Sequence, residues 1–152
     1  MNKAPAGPRP FWKDSLFHAA LMCGLLFWLA LYSIQQPLIQ WGWPLLEPWQ
    51  FLLPVVFYPV IEEVIFRGLL QELVHEYISQ RSLGPLSVAN VLTSVVFTAM
   101  HFLTHSPLWA VLVFIPSLVF GFFKDRTGRL TAPILLHIFY NAGFFWLFVT
   151  PA

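Results

Sequence analysis

Long apolar stretches, broken by short polar or proline-rich segments, dominate the chain. Ser15 to Ile34 contains no Asp, Glu, Lys or Arg. That run predicts a first membrane-spanning helix, since a span needs roughly 20 mostly apolar residues. Gln35 to Pro48 carries Pro37, Pro44 and Pro48 with Trp41 and Trp43, and tryptophan favours the headgroup level, so this reads as an interfacial loop. A second span runs from about Trp49 to Leu70, with Pro54 and Pro59 kinking or delaying its helix. Gln71 to Arg81 follows as an amphipathic extension into water, ended by Gly84-Pro85. Further spans cover 86–105, 108–123 and 130–149, with the loop Lys124 to Arg129 between the last two. No repeat or low-complexity segment interrupts this order. The pattern predicts an all-α bundle of about five spans, 15–150 forming one transmembrane domain behind a flexible cytoplasmic tail, 1–14.

Composition agrees with lipid as the main solvent. Hydrophobic residues make up 58% and charged residues 10%, against about 25% charged in soluble domains. The few basic residues are scattered, which excludes a nucleic-acid surface. Cys23 is the only cysteine, so no internal disulfide forms, and its apolar setting makes it a packing residue. The first apolar run is too long for a signal-peptide core and no A-x-A site follows it; it reads as a retained span. With the N-terminus inside, five spans put all eight Lys and Arg on or near one side. The positive-inside rule then predicts a cytoplasmic N-terminus and an external C-terminus, in a membrane that reads as the bacterial cytoplasmic one.

Against this background, charged and polar groups within spans are costly and mark function. Span two carries Glu62, Glu63 and Arg67; span three carries His101 and His105; span five carries His137 and Asn141. Residues four apart share a helix face, so Glu63 is expected to pair with Arg67. Glu62 is turned about 100° away, towards a central cavity. Only one of the two glutamates is then expected to join His101 and His137. Each feature has a structural reading too: a Glu–Arg pair can be a staple, and a membrane histidine often closes a helix–helix hydrogen bond. His105, near the span end beside Pro107, is expected to be exposed.

Three helices bringing such groups together suit water activation. A buried carboxylate serves as general base, a histidine shares the water's proton, and a second histidine with an Asn amide donates to an oxyanion. Glu62, His101, His137 and Asn141 supply those parts, with Glu63 and Arg67 in support. An aspartyl dyad is excluded, because Asp14 and Asp125 lie in the tail and a loop. His75-Glu76 does not continue to a His-Glu-x-x-His zinc motif, and Ser94 lacks the glycine-rich setting of a serine nucleophile. No cofactor is expected. The alternatives left open are a zinc-dependent version using two His and two Glu, and a non-enzymatic peptide-binding, immunity or transport protein.

The motifs also resemble a known family. Glu62-Glu63-x-x-x-Arg67 in one span, Phe97-x-x-x-His101 in the next and His137-x-x-x-Asn141 in a later one resemble the CAAX-protease and bacteriocin-processing (Abi) family of intramembrane proteases. Order, spacing and the continuation Phe66-Arg67-Gly68 all match, over about residues 49 to 150. The resemblance implies a glutamate-dependent peptidase in which Glu62 and His101 activate water and His137 and Asn141 form the oxyanion site. Its implied partners are the bilayer and a membrane-associated protein or peptide substrate.

Overall fold

A computed structural model describes residues 10–149 of the protein; the expected tail residues 1–9 and the last three residues lie outside it. The chain folds as a helical membrane bundle. A 3-10 turn, Phe11–Lys13, leads to α1 (Ser15–Gln35), whose N-cap Asp14 accepts a hydrogen bond from the Leu16 N–H. The end of the expected flexible tail is therefore ordered. Phe11 packs edge-on to Phe17, and Asp14 accepts from Arg126 Nε at 2.5 Å. That donated bond holds the Asp14 carboxyl below its ordinary value.

α2 (Trp43–Leu46) is short, and it buries one of the tryptophans expected at the headgroup level. Trp43 is 3% exposed, and its Nε1 donates to the Trp146 carbonyl, while Trp146 Nε1 donates to the carbonyl of Trp41. Docking against the C-terminal helix overrides its interfacial preference.

A composite helix then covers 48–77: α3 (Pro48–Leu52), a π segment (Leu53–Phe57), α4 (Tyr58–Glu63), a second π segment (Val64–Leu70) and α5 (Gln71–Tyr77). Proline lacks the N–H that an α-helix requires, and the first widened stretch contains Pro54 and is followed by Pro59. Such π turns recur at functional sites. The expected extension into water is only half realised. Glu72 and Glu76 are exposed, but Gln71 and Val74 are buried in the bundle, and the helix stops at Tyr77.

β1 (Ser82–Leu83) and β2 (Leu86–Ser87) form a small antiparallel hairpin, with Gly84 at φ +63° in its turn. This hairpin takes the first two residues of the expected third span. α6 runs only from Val88 to His101, capped by Ser87, whose hydroxyl accepts from the Asn90 N–H. At 1.5 Å per residue it is about 21 Å long, short of the ~30 Å hydrocarbon core.

The fourth segment is longer than expected. α7 (Pro107–Leu112) and α8 (Phe114–Thr127) continue each other as one apolar helix of 21 residues. Lys124, Asp125 and Arg126 thus lie on a helix rather than in the expected loop, and Gly128 at φ +65° ends it. α9 (Thr131–Phe148) closes the bundle close to its expected bounds. Ser15–Gln35, Pro107–Thr127 and Thr131–Phe148 are each long and apolar enough to cross a membrane.

The hydrophobic core joins α1, α8 and α9 through Phe17, Ala20, Phe120, Phe123, Ala132 and Leu136. α6 packs on the other side of α8. Their backbones approach closely because a Cβ at Gly121 would sit 1.9 Å from Asn90 Oδ1. The Asn90 amide instead lies over that glycine and donates to the Leu118 carbonyl at 2.9 Å. Small residues and interhelical hydrogen bonds of this kind drive helix association in lipid, where apolar burial alone gives little.

Candidate active site

Glu62 and Glu63 end α4, just before the second π segment. As the helix turn requires, they face different surroundings. The Glu62 side chain is 31% exposed and that of Glu63 is 0% exposed. Arg67, one turn on, is also fully buried, with its Nε 3.5 Å from Glu63 Oε2. This is the ion pair that the spacing predicts, though neither atom makes a hydrogen bond among the described residues.

The pairing of His137 is twofold. Its Nδ1 lies 2.9 Å from Glu63 Oε1, and its Nε2 lies 3.7 Å from Glu62 Oε2. A carboxylate accepts, so Nδ1 carries the proton on the Glu63 side. Both glutamates therefore flank one histidine. An imidazole has two nitrogens, so His137 sits between the two carboxylates, whereas only Glu62 also shares a space with His101. Phe120 stacks on the His137 ring, with centroids 4.7 Å apart and planes 19° from parallel, which fixes its plane.

His101 occupies the last turn of α6. Its Nδ1 lies 2.8 Å from the Phe97 carbonyl of the same helix. A carbonyl only accepts, so Nδ1 holds the proton and the neutral ring leaves Nε2 as an acceptor. Phe97, the aromatic of the motif, is a wedge. Its ring centroid is 4.5 Å from that of His101 and 6.1 Å from that of His137, and the Arg67 guanidinium carbon stands 5.7 Å from it.

Glu62 and His101 line one partly open cavity of about 1090 Å³. Its walls are otherwise mostly apolar, including Ile65, Phe66, Leu69 and Met100, and the exposed His105 is at its edge. Counting residues along the spans leaves Glu62 and His101 at different depths; the shortness of α6 and the widened helix 48–77 bring both to the same space. Glu63, Arg67 and His137 do not line this cavity.

Nor does Asn141 line it. Its Nδ2 donates to the Pro54 carbonyl at 2.8 Å. In the π segment the Tyr58 N–H reaches back to the Leu53 carbonyl, and the next residue, Pro59, has no N–H. Pro54 is thus left without a backbone donor, and Asn141 supplies one from α9. The second N–H of that amide is uncommitted by this bond.

Several polar residues escaped the sequence reading. Arg67 Nη2 donates to Ser117 Oγ at 2.5 Å, and Nη1 donates to Gln71 Oε1 at 3.3 Å and Ser94 Oγ at 3.4 Å. Ser94 donates in turn to Asn90 Oδ1. The signal was present in the i, i+4, i+8 stripe Glu63, Arg67, Gln71 and in the four-residue spacing of Asn90 and Ser94. Ser117 has no such mark. Among the described residues no three His, Cys, Asp or Glu side chains converge as a metal site would need.

A family model described as "Rce1-like: Type II CAAX prenyl endopeptidase Rce1-like" matches residues 43–143. That stretch contains the composite helix, α6, α8 and most of α9, and so every residue of the cluster. No curated protein and no solved structure matches the chain.

Proposed function

This chain belongs to the Rce1-like family of type II CAAX prenyl endopeptidases, and on that premise we propose that it hydrolyses a peptide bond of a membrane-associated or lipidated protein with water activated by Glu62. One observation carries the choice of base. Of two adjacent glutamates, only Glu62 reaches a space that a substrate can enter, while Glu63 is enclosed with Arg67 and His137.

In this reading the substrate lies along the apolar wall formed by Ile65, Phe66 and Leu69, with its scissile carbonyl near Glu62. The Glu62 carboxylate takes one proton from a water molecule, and His101 Nε2 accepts a hydrogen bond from the other. The hydroxide attacks the carbonyl carbon. The oxyanion role is assigned to His137 Nε2 (in its doubly protonated form), 3.7 Å behind Glu62, and to the second N–H of Asn141. Both stand outside the cavity wall, so the carbonyl oxygen has to pass Glu62 to reach them. Collapse of the intermediate breaks the C–N bond, and Glu62 returns its proton to the leaving amine. Glu63 holds His137 at Nδ1, and Arg67 balances the charge of Glu63. No step requires a metal ion or cofactor.

The same proposal sets the N-terminus inside and the C-terminus outside a bacterial cytoplasmic membrane. Supporting it, the ion pairs Asp14–Arg126 and Glu72–Lys124 gather at one end of the bundle, as expected of a basic inner face.

The test uses purified protein in detergent with a quenched farnesylated peptide that ends in a CAAX sequence. The parent is expected to release the C-terminal fragment, and E62Q to bind the peptide without releasing it. Release by E62Q at the parental rate would overturn the assignment, and binding without cleavage by the parent would favour a peptide-binding protein.

A further inference from the structure

We infer that Gln71 and Asp125 are positioning residues that fix the orientation of Arg67 and, through it, of Glu63 and His137. This rests on the reading of the cluster as a peptidase site, and it extends the working parts to the far end of the bundle.

The polarity of the hydrogen bonds carries the inference. Gln71 Nε2 lies 2.7 Å from Asp125 Oδ1 and 3.2 Å from the Gly121 carbonyl oxygen. Both neighbours only accept, so the amide NH2 must face them, and Oε1 is forced towards Arg67 Nη1 at 3.3 Å. The guanidinium has only donors. A flipped amide would oppose donor to donor in a site where Gln71 is 2% exposed and Arg67 fully buried. Asp125 is itself anchored, since its Oδ2 accepts from Ser87 Oγ at 2.7 Å, and Ser87 caps α6.

From there the chain runs through hydrogen bonds on either side of one ion-pair contact, Arg67 Nε to Glu63 Oε2 at 3.5 Å. Asp125 accepts from Gln71, Gln71 accepts from Arg67, Arg67 faces Glu63, and Glu63 accepts from His137 Nδ1. Ser94 shares Nη1 with Gln71, and Ser117 holds Nη2. Arg67 pairs with a single carboxylate, Glu63, among the described residues. A guanidinium free to turn would release Glu63 and with it the tautomer and placement of His137. Asp125, at the exposed end of α8, thus sets a polarity that is read at the buried histidine.

The experiment compares D125N, D125L, Q71E and the swap Q71E/D125N with the parent and E62Q, full-length in detergent, for kcat, KM, pH–rate profile and Tm. Q71E sets two carboxylates against each other and draws Arg67 away from Glu63. It is expected to lose about tenfold or more in kcat, the scale of coupling between neighbouring groups, with KM unchanged and a displaced pH profile. D125N keeps an acceptor for Gln71 and should cleave within about threefold of the parent, whereas D125L should resemble Q71E. The swap restores donor to acceptor at both positions and should recover most of the lost kcat. Parental kcat in both Q71E and D125L, or losses that follow Tm with no recovery in the swap, would overturn the inference; D125L at the exposed end serves should Q71E not fold. E62Q separates the two readings. If E62Q is inactive while Q71E and D125L are unaffected, only this inference falls; if E62Q cleaves normally, the peptidase assignment falls with it.

Discussion

His137 Nδ1 meets Glu63 Oε1 at 2.9 Å across 74 residues of chain. This bond ties α9 to the composite helix at the point where the helix widens. It gives the second glutamate a defined task, because Glu63 is enclosed between a cation and a histidine and has no face towards the cavity.

That arrangement separates the two glutamates experimentally. E62Q is expected to lower cleavage by about 10²–10⁴-fold, as loss of a general base does, with Tm close to the parent. E63Q leaves Arg67 buried without its counter-ion, which costs about 3–5 kcal/mol, so it should unfold at lower temperature as well as lose activity. Cleavage assays paired with thermal unfolding check this. An inactive but fully stable E63Q beside an active E62Q would reverse the roles.

Asn141 should show a mixed phenotype. N141A removes the donor that satisfies the Pro54 carbonyl, and an unpaired buried acceptor costs about 1–3 kcal/mol. It also removes the proposed oxyanion donor, worth about 10²–10³ in kcat. N141D, which presents acceptors to an acceptor, should be no better. Parental kcat in N141A with a lowered Tm would confine Asn141 to bracing the π segment.

Cleavage is expected to persist in EDTA and in 1,10-phenanthroline. The proposed water activation needs only Glu62 and His101. Loss of product in chelator, with recovery on adding zinc, would decide for the metal-dependent alternative.

The packing of α6 on α8 gives a test independent of chemistry. G121A would force a Cβ into the space held by Asn90. Overpacking of this kind costs about 1–3 kcal/mol, and because Asn90 also orients Ser94 beneath Arg67, activity should fall with it. G121A/N90A should regain part of the stability; equal Tm in parent and G121A would show that the helices yield freely.

Topology is checked by reporter fusions after Arg81 and after Ala152. Five spans predict opposite sides of the membrane. The same side for both would remove one crossing, and the short α6 would be the first to reconsider.

Features that lie within one helix were legible in the order of residues alone. Apolar run lengths gave α1 and α9 almost to the residue, since in lipid a segment's own composition decides whether it is helical. The i, i+4 rule gave the Glu63–Arg67 pair and turned Glu62 elsewhere, because helical phase depends on nothing outside the helix. Tertiary structure decided everything that crosses between helices. Placing His137 between both glutamates, seating Arg67 on Ser94 and Ser117, and joining Gln71 to Asp125 all depend on how closely α6, α8 and α9 approach the composite helix. That approach is set by packing at positions such as Gly121 and Asn90, and by backbone widening near Pro54 and Pro59. The Asn141–Pro54 bond needs both at once: a carbonyl freed by local proline chemistry, and a donor from a helix 87 residues later in the chain.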